Sequence, residues 1–103
     1  MIIAINQAGL PELREPEDFK GFKIVIEKPN MPDSEIEAAL KDVAYFDAEH
    51  LHLWVHQKAL KNWGGKPQSP DWIASFDAML EKVKKYGFVD ENTGDVRGHI
   101  ERV

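Results

Sequence analysis

Along residues 22–27 the side chains alternate: Phe22, Ile24 and Ile26 fall on one side, and Lys23, Val25 and Glu27 on the other. A two-residue period with one apolar side is the signature of a strand with a buried face. FKIVIEK is therefore predicted as a β-strand, ended by Pro29 and Pro32. MIIAI, rich in β-branched residues, is predicted as a second strand at a sheet edge. The stretch between them, NQAGLPELREPEDFKG, is crowded with proline, glycine and acidic residues and reads as a surface loop.

The period then changes. In PDSEIEAALKDV, Ile36, Ala39, Leu40 and Val43 recur at helical spacing. Asp33 or Ser34 can cap this helix, and Ser34 with Glu37 has capping-box spacing. The firmest helix is SPDWIASFDAMLEKVKKYG, with Ser69 as N-cap, Pro70 at the first helical position and Gly87 as the stop. Trp72, Ile73, Phe76, Met79, Leu80, Val83 and Tyr86 form its apolar stripe, read as a core face rather than a ligand groove. FVDENTGDVRGHIERV closes the chain as a hairpin, with Gly94 free to take a positive φ in the turn. In it, Val96 and Ile100 share one side while Arg97, His99 and Glu101 share the other.

Residues 48–63 support two readings. HLHLWV alternates like a strand, with Leu51, Leu53 and Val55 facing the core and His50, His52 and Trp54 opposite, followed by a short helix QKALKNW. Alternatively Asp47 caps one helix running to Trp63, which stacks His52 and His56 one turn apart. The alternation favours the strand.

Together these elements predict an α+β domain over residues 1–103. Its small mixed or antiparallel sheet has three to five strands, with two or three helices packed on one face. The expected core centres on Phe22, Ile24, Ile26, Leu40, Leu53, Val55, Phe76, Leu80, Val83 and Ile100.

Charge changes the functional picture more than composition does. The net charge is −5, and residues 1–50 carry eleven acidic against five basic side chains. Such a field repels phosphate backbones and lowers the expectation of nucleic-acid binding. The chain has no cysteine, which excludes disulfides, thiolate metal sites and cysteine nucleophiles. No apolar run approaches a membrane span, and the N-terminal segment does not resemble a signal peptide, so a cytoplasmic location is expected.

The candidate chemistry is concentrated in EHLHLWVHQ, which holds His50, His52 and His56. Two neighbouring imidazoles suit a transition metal, with His99 or Glu49 as further ligands. Against this, the spacing HLWVH lacks the glutamate of a zincin, and no other metal motif supports it. The chain carries no glycine-rich phosphate loop or nucleophile elbow, and no cofactor is expected. A third reading takes the order of helices and terminal hairpin as a winged helix, with Lys82, Lys84, Lys85, Arg97 and Arg102 as a DNA footprint. Asp77, Glu81, Asp90, Glu91 and Asp95 oppose it. The favoured reading is a non-catalytic accessory or protein-interaction domain, paired with a protein partner or with itself as a homodimer. Trp54, Trp63 and His52 are its interface candidates.

Overall fold

A computed structural model describes residues 1–103. The chain forms β1 (Ile2–Ile5), β2 (Pro11–Arg14), β3 (Lys23–Ile26), α1 (Asp33–Ala39), β4 (Ala44–Phe46), β5 (His52–Val55), α2 (Gln57–Lys61), α3 (Pro70–Val83) and β6 (Val96–Arg102). The fold is α+β, and its one mixed sheet has the order β2-β1-β3-β6-β5-β4. Six strands exceed the expected three to five, because two strands were hidden in stretches without a clear period. β2 lies inside the presumed loop 6–21 and pairs antiparallel with β1, from Ile2 opposite Arg14 to Ile5 opposite Pro11. Its Pro11 is tolerated because this is an edge strand. β4 is only three residues long and falls between the expected helix, which ends at Val43, and the stretch 48–63.

β1 is not an edge. It pairs on its other side with β3 in parallel, and Ile3, Ala4 and Ile5 are all buried. Alternation holds elsewhere. Ile24 and Ile26 in β3, and Leu53 and Val55 in β5, point into one apolar cluster with Ile36, Leu40, Leu60, Trp72, Phe76 and Leu80 from the helices. The helices therefore cover one face of the sheet. The expected core is recovered, though Phe22, Val83 and Ile100 sit at its margin, half-buried. Leu51, expected in the core, is 59% exposed because β5 begins only at His52.

The strand reading of residues 48–63 is the one the chain adopts, with β5, then α2, then a 3-10 turn at Trp63–Gly65. Helix α3 starts as its sequence dictates. Ser69 Oγ accepts from the Trp72 amide at 3.2 Å, and Pro70 occupies the first turn. Past Val83 it tightens into a 3-10 turn, and Gly87 stops it in the left-handed conformation at φ 79°. That change of pitch leaves Tyr86, the last member of the predicted stripe, 63% exposed. Helix α1 is shorter than predicted and begins differently: Pro32 is its N-cap residue, with no side-chain cap from Asp33 or Ser34. No helix is long and apolar enough to cross a membrane.

The last strand of the expected hairpin lies inside the sheet. β6 pairs with β3 in parallel and with β5 antiparallel, so it joins the β1–β3 half to the β4–β5 half. The expected hairpin forms but its first arm is short: Val89 bridges Val96, the Asp90 amide donates to the Asp95 carbonyl at 2.9 Å, and the Arg97 amide donates to the Phe88 carbonyl at 2.8 Å. β6 thus has a strand on each side and does not project from the sheet as a two-stranded wing. Gly98 makes the central position possible. A Cβ at residue 98 would stand 2.2 Å from Ile24 Cδ1 and 3.2 Å from Phe22 Cε2. Ile24 is fully buried and cannot swing away without disturbing the core.

Gly98→Ala is expected to destabilise the protein by about 1–3 kcal/mol, the usual cost of overpacking. Paired with Ile24→Val, which removes the clashing methyl, it should recover part of that loss. Urea melts of the two variants check this; equal stability of Gly98→Ala and wild type would show that the close approach is not a constraint.

Candidate functional site

The three clustered histidines do not converge. Each is bound through Nδ1 to a different aspartate: His50 to Asp33 at 3.0 Å, His52 to Asp47 at 3.1 Å and His56 to Asp95 at 2.9 Å. Local backbone explains the divergence. Residues 47–51 form the turn between β4 and β5, in which His50 takes φ 58° and stacks on Phe46 at 4.5 Å. Asp47 closes that turn by accepting from the amides of Leu51 and His52. His52 then lies on β5, and His56 lies beyond the strand as the N-cap residue of α2. His99 is brought near one of them, directly opposite His52 on β6 with ring centroids 6.4 Å apart. Nowhere do three His, Asp or Glu side chains form a group able to hold a metal ion. Glu49 is exposed in the turn.

The most constrained polar group is one the sequence reading treated as part of a turn. Asp95 is 5% exposed and accepts from Tyr45 Oη at 2.7 Å as well as facing His56. Burial pushes its pKa up, but the hydrogen bonds of Tyr45, His56 and Thr93 outweigh this and hold it below the usual carboxylate value. An ionised carboxylate can only accept, so His56 Nδ1 must carry the proton that it shares. His56 also lines an open hollow of about 710 Å³, together with Asp42, Gln57, Asn62 and Thr93. The Tyr45 hydroxyl beside the same carboxylate is pushed up from its ordinary value and stays protonated.

This geometry orients the His56 ring, but no serine side chain bonds to it. Ser69 is committed to capping α3. The Asp95 cluster bridges β4, α2 and the turn before β6, which makes it a structural clamp in its own right.

The second notable region is the face of the sheet that carries no helices. Its rows follow from strand register. Trp54 is opposite Arg97 and Tyr45, while His52, His99, Lys23 and Ile2 form the next row. Most charges here are matched. Arg14 makes two 2.8 Å bonds to Glu27, and Lys23 meets Glu101 at 3.2 Å. Arg97 is the exception. It is the one arginine of the chain without an acidic partner, since Arg102 is bound to Asp33. Its guanidinium lies over the Phe88 ring at 5.1 Å, and its Nε is buried without a hydrogen-bond partner.

Of the interface candidates, Trp54 and His52 share this face. Trp63 does not join them; it packs against the core from the turn after α2, beside Pro11 and Val43. Arg97, Phe88 and Tyr45 were not singled out as interface residues. The alternation of VRGHIER did place Arg97 and His99 on one side, but no local signal reveals that Arg97 lacks a carboxylate.

No protein-family model, curated protein or solved structure matches the chain.

The Asp95 clamp has a pH signature. A depressed folded pKa gives stability that is complete above the unfolded value near 3.9 and is lost as pH falls through the folded value. Asp95→Asn is expected to cost about 1–3 kcal/mol at pH 7, as for a broken buried hydrogen-bond pair. The difference from wild type should shrink below about pH 4 as the native carboxyl protonates. Urea titrations between pH 2.5 and 7 measure it; a difference that does not change with pH would remove the charge from the explanation.

Proposed function

We propose that this chain is a protein-interaction domain whose working surface is the helix-free face of the sheet. The observation that carries the reading is Arg97, unpaired and stacked on Phe88, directly across from a half-buried Trp54. Tryptophan, tyrosine and arginine are the side chains that most often anchor interfaces, since each combines large contact area with a polar tip. Here Trp54, Tyr45 and Arg97 form one patch, and the free guanidinium favours a carboxylate on the partner. The absence of cysteine suits a reducing, cytoplasmic setting for such a module.

A second copy of the chain is the first partner to consider, because closed two-fold dimers are the commonest assemblies and acidic groups abound on this protein. A photo-crosslinking residue at position 54 should yield one discrete adduct in cells expressing the protein, whereas the same residue at exposed Ala74 on α3 should not. An adduct of twice 11.8 kDa would identify the second copy, and sedimentation equilibrium should then show a dimer that Arg97→Glu weakens. Adducts at both positions alike, or at neither, would contradict the reading.

A further inference from the structure

One cleft in the molecule joins an apolar interior to a cationic mouth. Between the segment Phe19–Phe22 and the start of β6, the sheet has a gap, because β3 meets β6 only from Lys23 onward. The gap opens into a cavity of about 290 Å³. Phe19, Phe22, Phe88, Met79 and Val83 line its apolar part, the last two reaching up from α3. Lys20, Arg97, His52 and His99 supply its polar lining, and no carboxylate reaches it. In a chain with eighteen acidic residues, that exclusion is notable. Asp47 is engaged with the lining residue His52, and Glu101 with Lys23.

The walls are held in place. Trp72 Nε1 donates to the Pro16 carbonyl at 2.7 Å, the Met1 nitrogen donates to the Gly21 carbonyl at 3.0 Å, and Phe19 packs on Trp72. A preformed apolar pocket with a few convergent polar groups is the usual form of a small-molecule site. Its size, at the small end of that range, admits a body of roughly ten to fifteen non-hydrogen atoms.

We propose that this cleft binds a small apolar monocarboxylate, of the medium-chain or aromatic class. The hydrocarbon body packs between Phe22, Phe88 and Val83, and the carboxylate meets the guanidinium of Arg97, the one arginine left without an anion. Lys20 adds charge at the mouth. The proposal draws on the same unpaired Arg97 as the protein-partner reading, but it concerns a ligand that enters the cleft of the isolated chain and is tested there.

Octanoate and indole-3-acetate are suitable probes, with octan-1-ol and indole-3-acetamide as their neutral counterparts. In backbone amide NMR titrations, the acids should shift signals of Gly21, Phe22, Phe88, Arg97 and Gly98, with a dissociation constant of about 10–300 µM. The neutral counterparts should bind at least tenfold more weakly. Arg97→Gln should bring acid and alcohol to similar affinity, and Val83→Phe, which fills the cavity, should weaken both. Lys20→Gln, at an exposed position, gives a second removal of charge and should weaken the acids alone. No shift up to 5 mM acid, shifts centred outside the cleft, or equal affinity of acid and alcohol for the wild-type chain would overturn the proposal. That last comparison uses no variant and so survives any folding defect in the substitutions.

Discussion

The fold depends on a strand supplied by residues 96–102, hydrogen-bonded on both sides. Without β6, β3 and β5 would each present an open edge, and the sheet would fall into a β2-β1-β3 piece and a β5-β4 piece. A two-stranded piece is marginal alone, and both pieces would lose neighbours along the apolar face. The cost is sequence distance. Lys23 pairs with His99, so the parallel contact must wait for nearly the whole chain. Gly98 lets the pairing close, since the space a side chain would need is filled by Ile24 and Phe22.

Around the start of β6 two chemically distinct groups stand two residues apart. Asp95, immediately before the strand, is buried and binds Tyr45 and His56 from the β4–β5 half. Arg97, two residues later, is turned to the open face and binds no carboxylate. One charge is fully used by the fold and the other is not used at all. A buried carboxylate with three partners lowers the energy of one arrangement of β4, α2 and the last turn. An arginine stacked on Phe88 with a dry Nε is instead suited to an external anion.

Local signals in the sequence read well wherever one period ran long enough. β3, β5, α2 and α3 follow from alternation, helical spacing, Ser69, Pro70 and Gly87. β2 and β4 escaped because three or four residues, one of them proline, carry too little pattern and gain their strand geometry from pairing. The central place of β6 was invisible for a different reason: topology is a property of which strands meet, and VRGHIER reads the same at an edge or in the middle. The histidine cluster was conspicuous in sequence, yet its members are drawn apart by a tight turn and a strand end. Their aspartate partners lie 17, 5 and 39 residues away, and only the pairing of His52 with Asp47 was within reach of local reasoning. Asp95 and Arg97 gained their roles from neighbours that only the folded chain supplies.

A sheet completed by β6, with the Asp95 clamp just before the strand and the unpaired Arg97 on it, should behave as one cooperative body. Native-state hydrogen exchange along the chain tests this most directly. Amides of β6 should exchange only through global unfolding, with the same free energy and denaturant dependence as those of β1, β3 and β5. Exchange of β6 amides through a lower-energy opening, while β1 and β3 stay protected, would contradict it: the terminal strand would then be an attachment to the sheet and not its centre.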